Sequence, residues 1–484
     1  MSSVVDAQLH ILKQFLRYAK HTEYGKRHGF KDITDYSDYV NQVPVSTFKD
    51  YAEFLDDIKR GIPDLIWPGT ANKFAISAGT TGKPKEIPLP DDRKRSDVTF
   101  LRKVALSYLK QNPWKLFKIA GPHASLPGMI EKDPNFPGVM FGEISGFLAT
   151  FAPPLLAKLQ ILPADEAVLM NFEDKVELMT ERAIKSDVRV FTSLPSVALR
   201  FYQILLERTG KKSIAEIWPN LQLMISGGEP LPSYKKHLQK LSEGLDVHYI
   251  ENYGASEGYF SFNVDQDRDD MKLIVNNNVF YEWIPDPSSN KEDLIHQKTI
   301  PTWEVELGKR YAMVVTSNSG LWRYLLNDVI VFTDLETPRI KVSGRVTDVH
   351  DAYGEAIEAF HVKETLDAVV KETGGVYSNY SMGVLLDDTH PSPTHIWFVE
   401  WAERPRDFEV FKQKVDETLI SINRSYEIRR KGKAIAFPEF YSLSKDSIEK
   451  WQNEFFNVKA QTKIPRMIHD QEKSRGLIKY AEKC

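Results

Sequence analysis

Between residues 164 and 253 the chain alternates helix-patterned and strand-patterned segments, and this alternation limits the fold more than any other feature. Helical spacing of apolar residues runs through 164–185 (ADEAVLMNFEDKVELMTERAIK), and the short apolar run 188–194 (VRVFTSL) reads as a buried strand. Residues 195–210 read as a helix, with Pro195 at its start and Gly210 past its end. LQLMIS (221–226) reads as a strand, SYKKHLQKLSEG (233–244) as a helix and DVHYIENY (246–253) as a strand. Such alternation implies parallel βαβ units covered on both faces, with ligands taken at the carboxyl ends of the strands. The loops SGGEP (226–230) and YGASEG (253–258) fall at those ends.

From about residue 270 the pattern changes to short strands, predicting a β-rich subdomain that finishes near 343. Helices over 354–373 and 407–423 with two strands between them then predict a smaller α+β domain. The expected architecture is α/β: a large domain over 1–342, with βαβ and β-rich subdomains, and a small C-terminal domain over 343–484. A hinge is expected at Ser343, Gly344 and Arg345. A stripe of Val5, Leu9, Leu12 and Leu16 predicts an amphipathic helix at the amino end, whose face packs on the core.

The 484 residues carry 63 basic and 67 acidic side chains, a balance that argues against a nucleic-acid partner. No apolar run reaches the ~20 residues of a membrane span, and the first residues lack the order of a signal peptide. A cytoplasmic protein with no membrane partner is expected. The single cysteine, Cys484, excludes an internal disulfide and argues against a thiolate metal site. HExxH, paired CxxC and EF-hand patterns are missing, so zinc and calcium sites find no support.

The segment SAGTTGKPK (77–85) has the composition of a phosphate-holding loop. Gly79 and Gly82 permit close backbone approach, Ser77, Thr80 and Thr81 supply hydroxyls, and Lys83 and Lys85 supply cations. A charge-assisted bond from such a lysine contributes about 1.5–3 kcal/mol where partly desolvated. The loop is not a Walker A motif, because two residues separate the glycines and Pro84 follows the lysine. The other reading of this stretch is a polar hairpin turn. GASEG (254–258) matches the nucleophile-elbow spacing, yet the following YFSFNVD alternates like a strand where that elbow needs a helix. Glu257 beside Ser256 suits Mg²⁺, which takes hard oxygen ligands and shares them with phosphate; the alternative is a solvated loop glutamate.

In order along the chain, SAGTTGKPK, SGGEP, YGASEG, LNDVI and SGR resemble the adenylate-forming superfamily of acyl-CoA ligases and luciferase-like enzymes. HTEYGKRHGF, VPVSTFKDY, VFYEWIP, YAMVVTSNSGLWRYLLNDVI and TKIPRM are similar to the auxin-responsive acyl acid–amido synthetases of plants and their bacterial relatives. The resemblance implies ATP and Mg²⁺ as cofactors, a small apolar or aromatic carboxylic acid as substrate and an amino acid or other amine as acceptor. It implies that Ser77, Gly79, Thr80, Thr81, Gly82 and Lys85 hold the β- and γ-phosphates. Gly228, Glu229 and Tyr253 would frame the adenine, Gly254 would be a further nucleotide-binding residue, Ser256 would meet the α-phosphate and Glu257 the metal. Asp328 would grip the ribose, and Arg345 would face the nucleotide.

The sequence departs from the family pattern at two places. Leu325 and Asn327 stand where the family has arginine and glycine before the ribose aspartate, and Glu355 aligns with a lysine of the plant enzymes. Lys463 is the alternative lysine for catalysis. Phe141, Ile144 and Phe147 line the acyl site or belong to the core, with the two readings level. His123 and His350 are expected to be structural. An acid–thiol ligase that uses coenzyme A and a non-catalytic nucleotide-binding homologue are the competing functions.

Overall fold

A computed structural model describes residues 2–76, 85–287, 291–346, 349–350, 355, 357–387, 389–431, 434–455 and 465–484. The strands Val190–Thr192, Leu223–Gly227 and His248–Ala255 pair in parallel, with Val190 opposite Leu223 and Leu223 opposite His248. Successive residues of a strand face opposite sides. Phe191, Met224 and Tyr249 therefore enter a core with Phe201, Tyr202, Leu205 and Trp218. Val190, Leu223 and Ile250 enter another, under the helix Asp91–Gln111, with Phe100 and Tyr108. Burial on both faces explains why these strands read as continuous apolar runs. The helix Pro195–Thr209 starts on its proline and stops at Gly210, whose φ of 68° suits a residue without Cβ. The helical pattern of 164–185 divides into Ala164–Ala167 and Phe172–Ile184, because Asn171 caps the second helix through the amide of Asp174.

The β-rich stretch after residue 270 does not form a sheet of its own. Val279–Pro285, Arg310–Ser317, Leu321–Asp334, Arg339–Arg345 and Met271–Leu273 continue the parallel strands through the Gly258–Asn263 strand, giving one eleven-stranded sheet among the described residues. A separate four-stranded sheet holds Lys73–Ile76 between Glu86–Pro88 and Met140–Gly142.

The amino-terminal helix Ser2–Ala19 buries Val4, Ile11, Leu12, Phe15, Leu16 and Ala19, so its inner stripe is displaced from the Val5 and Leu9 of the sequence pattern. Its Gln8 is fully buried. The amide nitrogen donates to the carbonyls of Val275 and Val279 at 2.7 and 3.0 Å, and the amide oxygen accepts from Tyr281 N at 2.8 Å. Phe15, Tyr24, Phe30 and Trp67 surround Trp322, which stands on the strand Leu321–Asp334.

The chain forms two compact units. One comprises 1–286, 295–326 and 330–342, and the other comprises 287–294, 327–329 and 343–484. A single boundary after residue 342 does not contain the two short excursions. In the second unit Val376–Asp387 and His390–Glu403 form a long antiparallel pair, extended by Met467–Ile468, Glu439–Leu443 and Ala481–Lys483. Trp397 and Val399 pack against Ala359–Thr373 and Phe408–Ile422, while Ile396 and Phe398 pack against Lys445–Phe455 and Gln471–Ile478. Described residues after 430 therefore belong to this unit. No helix among the described residues is long and apolar enough to cross a membrane.

Candidate functional site

The loop Ser77, Gly79, Thr80, Thr81 and Gly82 lies outside the described residues, as does Lys463. The two flanks of the loop are described. Lys73–Ile76 and Glu86–Pro88 pair antiparallel, with Ile76 opposite Glu86, so the loop joins two hydrogen-bonded strand ends.

His248–Ala255 and Gly258–Asn263 form a hairpin with Ala255 opposite Gly258, which leaves Ser256 and Glu257 as its two turn residues. A strand, not a helix, follows the turn, and this removes the serine-hydrolase elbow. Both turn residues are buried. A Cβ on Gly254 would lie 2.5 Å from the Tyr259 ring, which would have to move to admit it. The Ser256 hydroxyl donates to the carbonyl of Ile76 at 3.2 Å, tying the turn to the strand that enters the loop.

Lys85 reaches the same place. Its Nζ donates to the Tyr324 hydroxyl at 3.1 Å, and the Glu257 carboxylate stands near enough to that hydroxyl to act on it electrostatically. Burial, followed by the neighbouring Glu257 carboxylate, pushes the Tyr324 phenol far above its ordinary value, so it stays neutral between Lys85 and Glu257. Tyr324 lies 239 residues from Lys85. Its only signal in the sequence is its place in RYLLND, ahead of Asp328.

Gly227 pairs with Asn252 on adjacent parallel strands, so Gly228, just past the end of its strand, lies beside Tyr253, which continues the neighbouring strand opposite Ser261. Gly228 has φ 78°, and a Cβ would meet Leu194 at 2.7 Å. Glu229 is half-buried, and the Tyr253 ring lies 5.3 Å from Phe260. Beneath them Glu251 accepts the amide of Leu231 at 2.9 Å, and burial raises its carboxyl to about 7.

The second unit holds Asn327, Asp328, Gly344, Arg345, His350 and Glu355. Arg345 Nε donates to Asp328 Oδ1 at 3.2 Å, with the aspartate buried and the arginine half-exposed. Asn327 has φ 67° and takes Val346 N on its carbonyl at 2.9 Å. Asparagine tolerates that left-handed backbone better than most other side chains do. Leu325 is buried in a position where a charge would be costly. Gly344, in the middle of SGR, has φ 130° and lies within the strand Arg339–Arg345. Glu355 is fully buried and accepts from His395 Nε2 at 3.2 Å, which gives the acid a structural partner where the plant pattern has lysine. His350 bonds the Met382 carbonyl, and burial lowers it to about 3; His123 bonds the Ile119 carbonyl. Phe147 is core, while Phe141 and Ile144 pack at its edge and are partly buried.

No group of three or more His, Cys, Asp or Glu among the described residues could hold a metal ion. A cation at Glu257 would need most of its oxygens from a ligand, and Mg²⁺ bound with phosphate is coordinated in that way. The buried hard carboxylate of Glu257 fits such an ion.

The fold matches an acyl acid amido synthetase, GH3.15, solved in complex with 2,4-DB. The TM-score is 0.78 at 18% identity, over 99% of this chain and 94% of that one. A 2-hydroxyisobutyryl-CoA ligase in the postadenylation state aligns with TM-score 0.56 at 15% identity, over 98% and 91% of the two chains. The fold is thus the one shared by amido synthetases and acyl-CoA ligases. Residues 1–167, 272–345 and 360–472 match the N-terminal, central and C-terminal domains of the GH3 family in that order, and the chain belongs to that family. Indole-3-acetic acid-amido synthetase GH3.3 of Arabidopsis thaliana is 23% identical over 395 residues, covering 67% of this chain and 64% of the relative. Jasmonoyl--L-amino acid synthetase GH3.5 of Oryza sativa subsp. japonica is 23% identical over 388 residues, covering 66% of each.

Proposed function

We propose that this protein adenylates a small carboxylic acid with ATP and transfers the acyl group to an amine, an amino acid by preference, forming an amide. The observation that carries the reading is the grouping of Lys85, Tyr324 and Glu257 at the Ser256–Glu257 turn, in a chain with GH3 domains in order. A carboxylate cannot expel oxide, so it must first be joined to a better leaving group. Its oxygen attacks the α-phosphorus of ATP, the bond from that phosphorus to the bridging oxygen breaks, and pyrophosphate departs. An amine nitrogen then attacks the acyl carbon, AMP leaves with the former carboxylate oxygen, and the nitrogen loses a proton. Neither step needs a protein nucleophile. What the protein supplies is position and compensation of charge.

In this reading Ser77, Gly79, Thr80, Thr81, Gly82 and Lys85 hold the β- and γ-phosphates. Gly228, Glu229 and Tyr253 frame the base, Gly254 is a further nucleotide-binding residue, Ser256 meets the α-phosphate and Glu257 holds Mg²⁺. That ion, when bound, neutralises phosphate charge. Asp328 takes the ribose and Arg345 faces the nucleotide; Lys463 is the lysine available to the second step. Ser343–Arg345 serve as the hinge between domains 1–342 and 343–484. Partly buried Phe141 and Ile144 favour an apolar or aromatic acid of modest size. A cytoplasmic setting is part of the reading, since the single cysteine offers nothing for an oxidising compartment to pair.

The test is carboxylate-dependent exchange of labelled pyrophosphate into ATP across a panel of acids with Mg²⁺. Exchange is expected with some acids, and product analysis with amino acids against coenzyme A then identifies the acceptor. Lys85→Ala and Glu257→Ala are each expected to lower exchange by about 10²–10³-fold, the loss typical of a group that compensates transition-state charge. Folded, ATP-binding protein that exchanges with no acid would instead fit a non-catalytic homologue.

A further inference from the structure

We propose that Arg93, backed by Asp97, is a positioning residue for the Ser256–Glu257 turn, an inference that rests on reading this turn as the Mg²⁺ and nucleotide site. Arg93 stands in the first turn of the helix Asp91–Gln111, a few residues after the strand that leaves the glycine-rich loop. Its side chain is 2% exposed and that of Asp97 is 1% exposed. Nε donates to Asp97 Oδ1 at 2.8 Å, and NH1 donates to the Ser256 carbonyl at 2.9 Å and to the Ser319 hydroxyl at 3.0 Å.

The Ser256 carbonyl and the Glu257 amide belong to one rigid peptide plane. A guanidinium that fixes the carbonyl oxygen therefore fixes the plane from which the Glu257 side chain springs. The Ser256 hydroxyl, held by Ile76, fixes the same residue from the loop side. The turn is thus held at its carbonyl, at its hydroxyl and at the Ala255–Gly258 pair, leaving Glu257 few ways to point. The start of the helix is itself anchored, because Asn318 Nδ2 donates to the Asp92 carbonyl at 2.9 Å and to the Ser96 hydroxyl at 2.7 Å. Buried Arg93 NH2 and Asp97 Oδ2 have no hydrogen-bond partner among the described residues.

The test compares Arg93→Lys, Asp97→Asn and Ser319→Ala with wild type. Thermal unfolding, calorimetric affinity for ATP with and without Mg²⁺, and pyrophosphate exchange are measured for each. Lysine keeps the charge and loses the fork. Arg93→Lys is expected to lower exchange about 100-fold, the loss a displacement of roughly 1 Å produces, and to remove most of the gain in ATP affinity that Mg²⁺ confers. Affinity without Mg²⁺ and the unfolding midpoint should stay near wild type. Asp97→Asn should move the same quantities in the same direction by less, and it decides the matter if Arg93→Lys does not fold. Ser319→Ala, which leaves the Ser256 contact in place, should respond to Mg²⁺ as wild type does. A folded Arg93→Lys with wild-type exchange and Mg²⁺ response overturns the proposal, and so does an equal loss in Ser319→Ala. Wild-type protein that exchanges with no acid overturns the reading of the site, whereas active wild type with unchanged variants overturns only the role of Arg93.

Discussion

Two arginines are buried in the large unit, and they are used differently. Arg323 pairs with Glu282, Nε to Oε2 at 3.0 Å. Its NH1 donates to the carbonyls of Val40 and Val43, and its NH2 donates to the Thr299 hydroxyl. Every nitrogen of that guanidinium has an acceptor, although the residue sits at φ 47°. Arg93 has one carboxylate oxygen, one carbonyl and one hydroxyl, and its NH2 has no partner among the described residues. The first network ties the amino-terminal helices to a central strand and is complete. The second stands against the turn that carries Glu257 and is not. The two networks thus differ in what they hold: one joins elements of the core, the other fixes the backbone of a turn.

Breaking the complete network should have the largest effect on folding. Arg323→Met leaves Glu282 buried without its cation and is expected to lower unfolding free energy by about 3–5 kcal/mol in urea titration, with much of that recovered in the double variant Arg323→Met, Glu282→Leu. Equal losses in the single and double variants would mean that packing, not charge pairing, dominates there.

A third buried acid, Glu251, has no ion pair among the described residues and tests the comparison from the other side. Burial raises its carboxyl from 4.5 to about 7, so the folded state holds a proton that the unfolded state has released. Stability should therefore fall as pH rises through that interval. Glu251→Gln is expected to match wild type at pH 5 and to exceed it at pH 8 by about 2–3 kcal/mol, read from unfolding midpoints at the two pH values. A constant difference across pH would remove this carboxyl as the cause.

The smallest expected effect separates neighbours on one strand. Tyr324 follows Arg323 and turns to Lys85 and Glu257. Tyr324→Phe should keep its stability to within about 1 kcal/mol and lose roughly tenfold in exchange, one hydrogen bond being worth about that much. Unchanged exchange would confine Tyr324 to the architecture.

These residues divide what sequence reading reaches from what it does not. The parallel strands at 190, 223 and 248 were legible because apolar runs of that length, set between helical periods, have few other solutions. The Ser256–Glu257 turn was legible because glycines bracket it and a strand pattern follows. Arg93, Tyr324 and Arg323 were not. Their contacts join residues 163, 239 and 41 positions apart, and no local pattern encodes a partner at such distances. The junction of both strand groups in one sheet was hidden for the same reason, since edge-to-edge pairing leaves no periodic trace. After residue 430 the strands are as short as Met467–Ile468 and Ala481–Lys483, too brief for alternation to register.

The seat of Gln8 has a consequence for how the molecule is made. Its amide completes the backbone bonding of a strand near residue 280, while Phe15, Tyr24 and Phe30 pack on Trp322. A ribosome adding about 5–20 residues per second would leave the amino-terminal helix waiting roughly 15–60 seconds for those partners to be synthesised. Throughout that interval Trp67 and Phe30 can cover only part of the helix, while Gln8 and the ring faces that meet Trp322 wait for their partners, and the nascent protein depends on chaperones, or on solubility alone, to reach the point where they arrive.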